Sequence, residues 1–297
     1  MNTSRSLLAL PNELLALIIE STDLAVTDLA NLRLTCKHTK HFASSALGRR
    51  IFVDLDICYG RDAFDWFTSF LLSDLGSYVR SVCLRWWTPS SRMYYPTKHY
   101  RQQELEIKPK YPQLQDITIE YCYIPARLWT KVLCAATQLK TFKFKDPVSG
   151  PSWYGVYKYK LERTDTLLNS VNSGCLSKLV LVDLQVSDGI LKELLDIHQQ
   201  TLSALNIRRC TLVDETWLEI LNYIRLNLSQ LRSFYIDVRY EAAKKTPPPK
   251  QESHRPFRRN QYDLKKYSSP IKLKLEGQKE IANGLSEFLK AREGDQA

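Results

Sequence analysis

Glycine is scarce in this chain, and the motifs that depend on it are missing. Only 10 of the 297 residues are glycine, and no two of them are separated by a single residue. The Gly-x-Gly-x-x-Gly turn that holds dinucleotide phosphates is therefore absent, and so is a Gly-Lys-Ser/Thr phosphate loop. The Gly-x-Ser-x-Gly turn of serine hydrolases is missing as well. These absences exclude common nucleotide-binding and hydrolase classes.

Metal ligands and catalytic groups are also few. The seven cysteines are odd in number and widely spaced, with no Cys-x-x-Cys pair, which predicts a reducing compartment and no disulfide framework. Cys36, His38 and His41 lie close together in the sequence, but zinc takes four ligands and no second cluster supplies the rest. We find no pairing of acid, base or nucleophile. The sequence therefore predicts a non-catalytic protein without a metal or cofactor.

Long apolar runs are missing too, although the chain is rich enough in apolar residues to form a core. No run approaches the roughly 18 apolar residues that suggest a membrane span, while 44% of the residues are hydrophobic and the formal net charge is +10. We expect a protein of the cytoplasm, the nucleus or both.

The first 50 residues predict three short helices. Pro11 has a fixed φ that suits the first turn of a helix, and an apolar run follows it, containing Leu14, Leu15, Leu17, Ile18 and Ile19. This first helix is apolar around most of its circumference, so it must be covered, either within the chain or by a partner.

The same segment resembles a fungal-type F-box over about residues 8–50. The resemblance rests on Leu10-Pro11-Asn12-Glu13-Leu14-Leu15, then Ile18, Asp28-Leu29, Leu32-Arg33-Leu34 and Cys36-Lys37. Thr39 departs from the pattern, because many F-boxes have a large apolar residue there, and Phe42 is expected to fill the space. The resemblance implies docking on a Skp-family adaptor and, through it, a cullin. We assign the docking to Leu10, Pro11, Leu14, Leu15, Ile18, Leu29, Leu32, Leu34 and Cys36, some of which must instead hold the helices together.

Residues 51–238 predict repeated β-α units. Seven segments have apolar residues at the first, fourth and sixth positions of one template: Phe52/Leu55/Ile57, Val79/Val82/Leu84, Leu114/Ile117/Ile119, Leu139/Phe142/Phe144, Leu176/Leu179/Leu181, Leu202/Leu205/Ile207 and Leu231/Phe234/Ile236. Two units also have a cysteine at the ninth position, Cys122 and Cys210. From about 114 to 236 this pattern resembles the cysteine-containing leucine-rich repeat. The predicted fold class is thus α/β: a small three-helix F-box, then an irregular leucine-rich-repeat-like β-α solenoid with parallel strands.

The strand residues between the inward positions should form a second face. Lys143, Lys145, Arg208 and Tyr235 fall at such positions, and two long insertions after strands are rich in aromatic residues. We therefore predict substrate binding by Trp86, Trp87, Tyr94, Tyr95, Lys143, Lys145, Trp153, Tyr154, Arg208 and Tyr235. A solvated sheet face, with aromatic residues that only cover the core, is the alternative.

The C-terminal part of the chain divides into two segments. Residues 239–268 contain Pro247-Pro248-Pro249 and, from 239 to 266, nine Lys/Arg against three acids. They predict a flexible basic segment, with a nuclear-import or nucleic-acid patch as the alternative. In residues 269–297, alternating apolar residues and then an amphipathic pattern predict a terminal strand and helix that cap the repeats.

The leading hypothesis is the substrate-recognition subunit of an SCF (Skp-cullin-F-box) ubiquitin ligase, which binds an unknown protein target and does no chemistry itself. Two alternatives stay open: a leucine-rich-repeat scaffold without a ligase role, and a basic nucleic-acid-binding protein. The first helix distinguishes the scaffold from the ligase subunit, because a helix that only caps the repeats would be buried against the Phe52 unit.

Overall fold

The computed structural model shows a mixed α/β protein. It describes residues 10–21, 23–35, 37–59, 63–71, 73–86, 113–120, 126–146, 164–213, 216–238 and 271–294. Within these ranges three helices come first, a mostly parallel sheet with intervening helices follows, and a helix comes last. None of the helices in these ranges is long and apolar enough to cross a membrane.

The three predicted N-terminal helices are confirmed as α1 (Asn12–Glu20), α2 (Val26–Thr35) and α3 (Lys37–Ile51). The carbonyl of Pro11 accepts hydrogen bonds from the backbone N–H groups of Leu14 and Leu15, at 3.1 and 3.0 Å, and so starts α1. Both α1 and α2 pack on α3. The small core between them contains Ile19, Leu29, Ala43, Ala46, Leu47 and Leu75.

Thr39 is buried in this unit although it is polar. Its hydroxyl donates a hydrogen bond to the carbonyl of Leu32, at 2.7 Å. Burial of a hydroxyl is tolerated when it has such a partner. Phe42, one turn further along α3, packs against the same small core. The polar residue is therefore accommodated without an unpaired buried group.

Within the described ranges, eight strands form one sheet in the order β1-β2-β3-β4-β5-β7-β9-β10. All adjacent strands are parallel except β9 and β10. The strands are β1 (Asp54–Tyr59), β2 (Ser81–Trp86), β3 (Asp116–Glu120), β4 (Thr141–Lys145), β5 (Lys178–Val182), β7 (Ala204–Arg208), β9 (Ser233–Val238) and β10 (Ile271–Glu276), while β6 (Gln185–Val186) and β8 (Thr211–Leu212) form a separate short ladder. The predicted parallel strands are therefore confirmed.

The helices between the strands cover the inward face of this sheet. They are α4 (Ala63–Leu71), α5 (Ala126–Ala135), α6 (described over 164–169), α7 (Asp188–Ile197) and α8 (Trp217–Asn227). One row of buried residues crosses the strands in register: Val82, Ile117, Phe142, Leu179, Leu205 and Phe234. Trp129 of α5, Leu191 of α7 and Leu221 of α8 belong to the same core. The predicted inward positions of β2, β3, β4, β5, β7 and β9 are confirmed.

The first β-α unit differs from the others at one predicted position. Phe52 packs against the core of the N-terminal helices rather than against the sheet core. It contacts Phe70 of α4, with ring centroids 4.9 Å apart. Phe70 packs against both cores, so this aromatic pair joins the helical unit to the sheet.

Two further contacts fix the N-terminal helices next to the sheet. Arg33 lies 3.0 Å from the carboxylate of Asp74 and also donates from Nε to the hydroxyl of Ser44. Gly48 of α3 lies so close to Tyr78 that an added Cβ would be 2.2 Å from the aromatic ring. Because there is no room for a side chain, glycine allows this close approach.

The ninth repeat position is buried, as the pattern requires. Cys210 is enclosed, and its thiol donates to the carbonyl of Arg208, at 3.3 Å. Burial raises the pKa of Cys210 to about 12, so the thiol stays neutral and serves packing. Leu184 occupies the same place in the preceding unit and is buried too.

The turns after β5 and β7 share a special backbone conformation. Asp183 and Arg209 have φ angles of 59° and 49°, which is costly for residues other than glycine. The Arg209 guanidinium donates two hydrogen bonds to the Asp183 carboxylate, at 2.6 and 2.8 Å. This bidentate pair joins the turns of adjacent units where the chain turns towards β6 and β8.

The C-terminal strand and helix are confirmed. The strand β10 pairs antiparallel with β9, and α9 (Gln278–Gly294) follows it. Ile281, Leu285 and Leu289 of α9 are buried in the main core. This segment therefore ends the sheet and contributes to its core.

His198, at the end of α7, makes stability depend on pH. Burial lowers its pKa below 6.5, outweighing the hydrogen bond between its Nε2 and the Val171 carbonyl, at 3.0 Å. The unfolded chain therefore binds a proton at a higher pH than the folded chain does. We expect stability to be lost as the pH falls below 6.5, by at most about 1.4 kcal/mol per pH unit for this one group.

Urea titration at several pH values tests this expectation. The control is His198→Gln, because glutamine can still donate a hydrogen bond but does not titrate. If the two chains lose stability in parallel between pH 6.5 and 5, His198 does not contribute.

Candidate protein-interaction surfaces

The side chains between the inward positions project onto the other face of the sheet, here called the outer face. Two rows cross it in register. One row contains Asp56, Cys83, Thr118, Lys143, Val180, Asn206, Tyr235 and Lys274, and the next contains Arg85, Glu120, Lys145, Val182, Arg208, Asp237 and Lys272. Charges of both signs alternate with polar and apolar residues, which gives a mixed surface.

Glu120 is the centre of an ionic network on β1 to β4. Its carboxylate lies 2.5 Å from Nζ of Lys143 and 3.9 Å from Nε of Arg85. Arg85 also lies 3.5 Å from Asp56. Partial burial alone would raise the pKa of Glu120, but the hydrogen bond from Lys143 and the charges of Lys143, Lys145 and Arg85 lower it below 4.5. The carboxylate is therefore ionised at neutral pH.

Lys143→Met should raise the pKa of Glu120, because the burial remains and the hydrogen bond is lost. The lowered pKa means that the network stabilises the native chain above pH 4.5 and that this contribution is lost as the pH falls below 4.5. Because both side chains are partly solvated, we expect a loss of less than about 1 kcal/mol at neutral pH. NMR titration of the Glu120 carboxyl tests the prediction, with Lys178→Met as the control, and an unchanged pKa would contradict it.

On β7 and β9, the other half of the outer face, an arginine side chain lies over an aromatic ring. The Arg208 guanidinium lies 4.7 Å from the ring centroid of Tyr235, and its Nε donates to Asn206 at 2.9 Å. Within the described ranges no carboxylate pairs with Arg208. A guanidinium held by a ring and an amide is ordered yet keeps donors available, and arginine and tyrosine are both enriched at interfaces.

Apolar residues lie at the centre of the outer face. Val180 and Val182 of β5 occupy outer positions but are buried. They lie in register between Lys143 and Lys145 on one side and the residues of β7 on the other. The outer face is therefore not simply a solvated sheet face.

The structure brings together four of the predicted substrate-binding residues. Lys143 and Lys145 on β4, Arg208 on β7 and Tyr235 on β9 share the outer face. Trp86 is the last residue of β2. The predicted residues Trp87, Tyr94, Tyr95, Trp153 and Tyr154 lie outside the described residues, as do Cys122 and the basic segment 239–268.

A second surface is the apolar stripe on α1, formed by Leu14, Leu17 and Ile18. These side chains are 46%, 68% and 42% exposed, whereas Leu15 and Ile19 on the same helix are fully buried. Residues at i, i+3 and i+4 share one face of a helix. Three large aliphatic side chains therefore lie side by side in contact with solvent.

The predicted docking residues divide between this surface and the interior. Pro11, Leu14, Ile18 and Leu34 are exposed, Leu10 and Leu32 are partly buried, and Cys36 lies outside the described residues. Leu15 and Leu29 are corrected to packing residues, because both are fully buried and cannot touch a partner in this conformation. The prediction did not include Leu17. Its spacing of three residues from Leu14 could have placed it on the same helix face as Leu14 and Ile18.

Metal ligands do not converge in the described part of the chain, where no group of three or more His, Cys, Asp and Glu side chains is close enough to hold an ion. His38 and His41 lie edge-on to Phe42 instead, with ring centroids 6.3 and 5.6 Å away.

Comparison of the chain with protein-family models and with curated proteins gave no match.

Proposed function

We propose that this chain is a non-catalytic substrate-recognition subunit of an SCF ubiquitin ligase. In this proposal the N-terminal helices form an F-box that docks on a Skp-family adaptor, which connects the chain to a cullin. The β-α units form an irregular leucine-rich-repeat-like solenoid, and their outer face holds a protein target in the cytoplasm or the nucleus.

The exposed α1 stripe is the observation that carries this proposal. Burial of one leucine or isoleucine side chain contributes about 1.5–3 kcal/mol. An isolated chain gains nothing from leaving three such residues in water on one helix face. Exposed apolar clusters of this kind mark sites of protein association, and this one lies within the segment that resembles an F-box.

The packing of α1 favours a docking unit over a simple cap. A helix that only capped the repeats would turn its apolar side towards the first β-α unit. Ile19 of α1 belongs to the core against which Phe52 packs, but Leu14, Leu17 and Ile18 on another side of α1 stay exposed. The α1 stripe is left available for a partner.

The outer face supports the second half of the proposal. It presents Arg208 on Tyr235 and the two lysines of β4 on one sheet surface. Aromatic and guanidinium groups are both enriched at protein interfaces. Sheet faces of stacked repeats provide extended binding surfaces of this kind.

Co-expression with a Skp-family adaptor tests the proposal. We expect a one-to-one complex that survives affinity purification and gel filtration. A folded chain that elutes alone, with the adaptor in separate fractions, would rule out the ligase role. In that case the scaffold would become the better explanation.

A further inference from the structure

A cavity of about 400 Å³ lies at the junction of α2 and α3 and is here called the junction cavity. It is lined by Arg33, Leu34, Thr35, Lys37 and Lys40. Three of these five residues are cations. The cavity opens beside Leu34, whose side chain is 81% exposed. A positively charged recess next to an exposed aliphatic side chain is thus built into the N-terminal unit.

The cations of the junction cavity are only partly neutralised. Asp74 lies 3.0 Å from Nη2 of Arg33 and 3.8 Å from Nζ of Lys40. No carboxylate of the described residues pairs with Lys37. One carboxylate facing three cations leaves a net charge of +2 at the cavity.

The two lysines occupy positions in α3 where a positive charge is electrostatically unfavourable in the free chain. Lys37 and Lys40 lie in the first turn of α3, which contains no acidic residue. The positive end of a helix dipole repels cations at this place. These positive charges are unfavourable for the free chain, and they are concentrated around a cavity. This arrangement fits the binding of an anionic group.

We infer that the junction cavity is a second docking site, which receives carboxylate side chains from an acidic segment of the adaptor. The inference rests on the proposed function and extends it, because the adaptor would then contact both the α1 stripe and the junction cavity. Arg33, Lys37 and Lys40 bind the carboxylates, and Leu34 contacts an apolar neighbour in the same segment. Arg33 is held for this role by its bonds to Ser44 and Asp74.

The test is the affinity of the full-length chain for the purified adaptor at about 0.05 M and about 0.5 M salt, since salt screens exposed charges. The variants are Lys37→Glu alone and Lys37→Glu combined with Lys40→Glu. Lys37→Glu breaks no ion pair of the described residues. An acidic side chain is also favourable in the first turn of a helix, so we expect this variant to keep the fold. The control is Lys272→Glu combined with Lys274→Glu, the same change of charge on β10.

We expect the double cavity variant to bind about tenfold or more weakly at low salt and to lose most of its salt dependence. The β10 control should bind like the native chain. Equal affinity and an equal salt dependence of the native chain and both cavity variants would overturn the role of the junction cavity and leave the ligase role standing. If the native chain does not bind the adaptor, the proposed function fails, and the cavity site fails with it.

Discussion

Replacement of Leu14, Leu17 and Ile18 by aspartate is expected to weaken adaptor binding by at least about a hundredfold, which corresponds to about 2.8 kcal/mol. A docked stripe would bury all three side chains, and a carboxylate in that interface would be desolvated without a partner. The fold should survive, because one substitution at an exposed position usually changes stability by less than about 0.5 kcal/mol, and three together by less than about 1.5 kcal/mol.

Isothermal titration of the purified chains with the adaptor measures the effect, and circular dichroism checks the fold. The matched control combines Ile197→Asp with Leu226→Asp, because these side chains are also aliphatic and exposed but lie on α7 and α8. We expect the control to bind like the native chain. Equal weakening in both variants would mean that exposed apolar residues act nonspecifically, and no weakening in either would exclude docking through α1.

Phe142→Ala is expected to destabilise the protein by about 3–5 kcal/mol. Phe142 is fully buried in β4, between Ile117 of β3 and Leu179 of β5, near the middle of the sheet. Strands on both sides restrict the collapse of the cavity that the substitution leaves. A loss of this size is a large part of the stability of an average domain.

Urea unfolding of the native chain and the variant measures this loss. Thr141→Ala is the control, because Thr141 precedes Phe142 in the same strand and points to the outer face. We expect less than about 1 kcal/mol for the control. A similar loss in both variants would indicate that strand propensity, rather than core packing, decides stability at β4.

The strands could be predicted from the sequence because their inward apolar residues recur at every second position. In a strand this spacing places them on one face of the sheet, which is then buried. Phe142 and Phe144 flank a lysine, and the same alternation recurs in Ile117-Thr118-Ile119 and Leu205-Asn206-Ile207. Cys210 was predictable for a related reason: its distance from Leu202 places it in the turn after a strand, where a small buried side chain fits. Such local patterns need no knowledge of neighbouring strands.

Features that depend on register or on distant packing were not predictable in the same way. The ion pair of Glu120 and Lys143 forms because two strands align at these residues. The contact of Arg33 with Asp74 joins positions 41 residues apart in the chain. Which leucines of α1 are buried depends on how the helix packs in the folded chain, so the sequence could not separate Leu15 from Leu17.

The antiparallel β10 has a consequence for self-association. A parallel sheet of repeated units has a free edge whose backbone groups could pair with another copy. The reversed β10 occupies the edge of β9, and the next edge presents Lys272 and Lys274, which discourage pairing between copies. Removal of residues after 270 would uncover the edge of β9 beside Phe234 and Ile236, so protection of this edge of the sheet depends on a segment that lies far in sequence from the strand it covers.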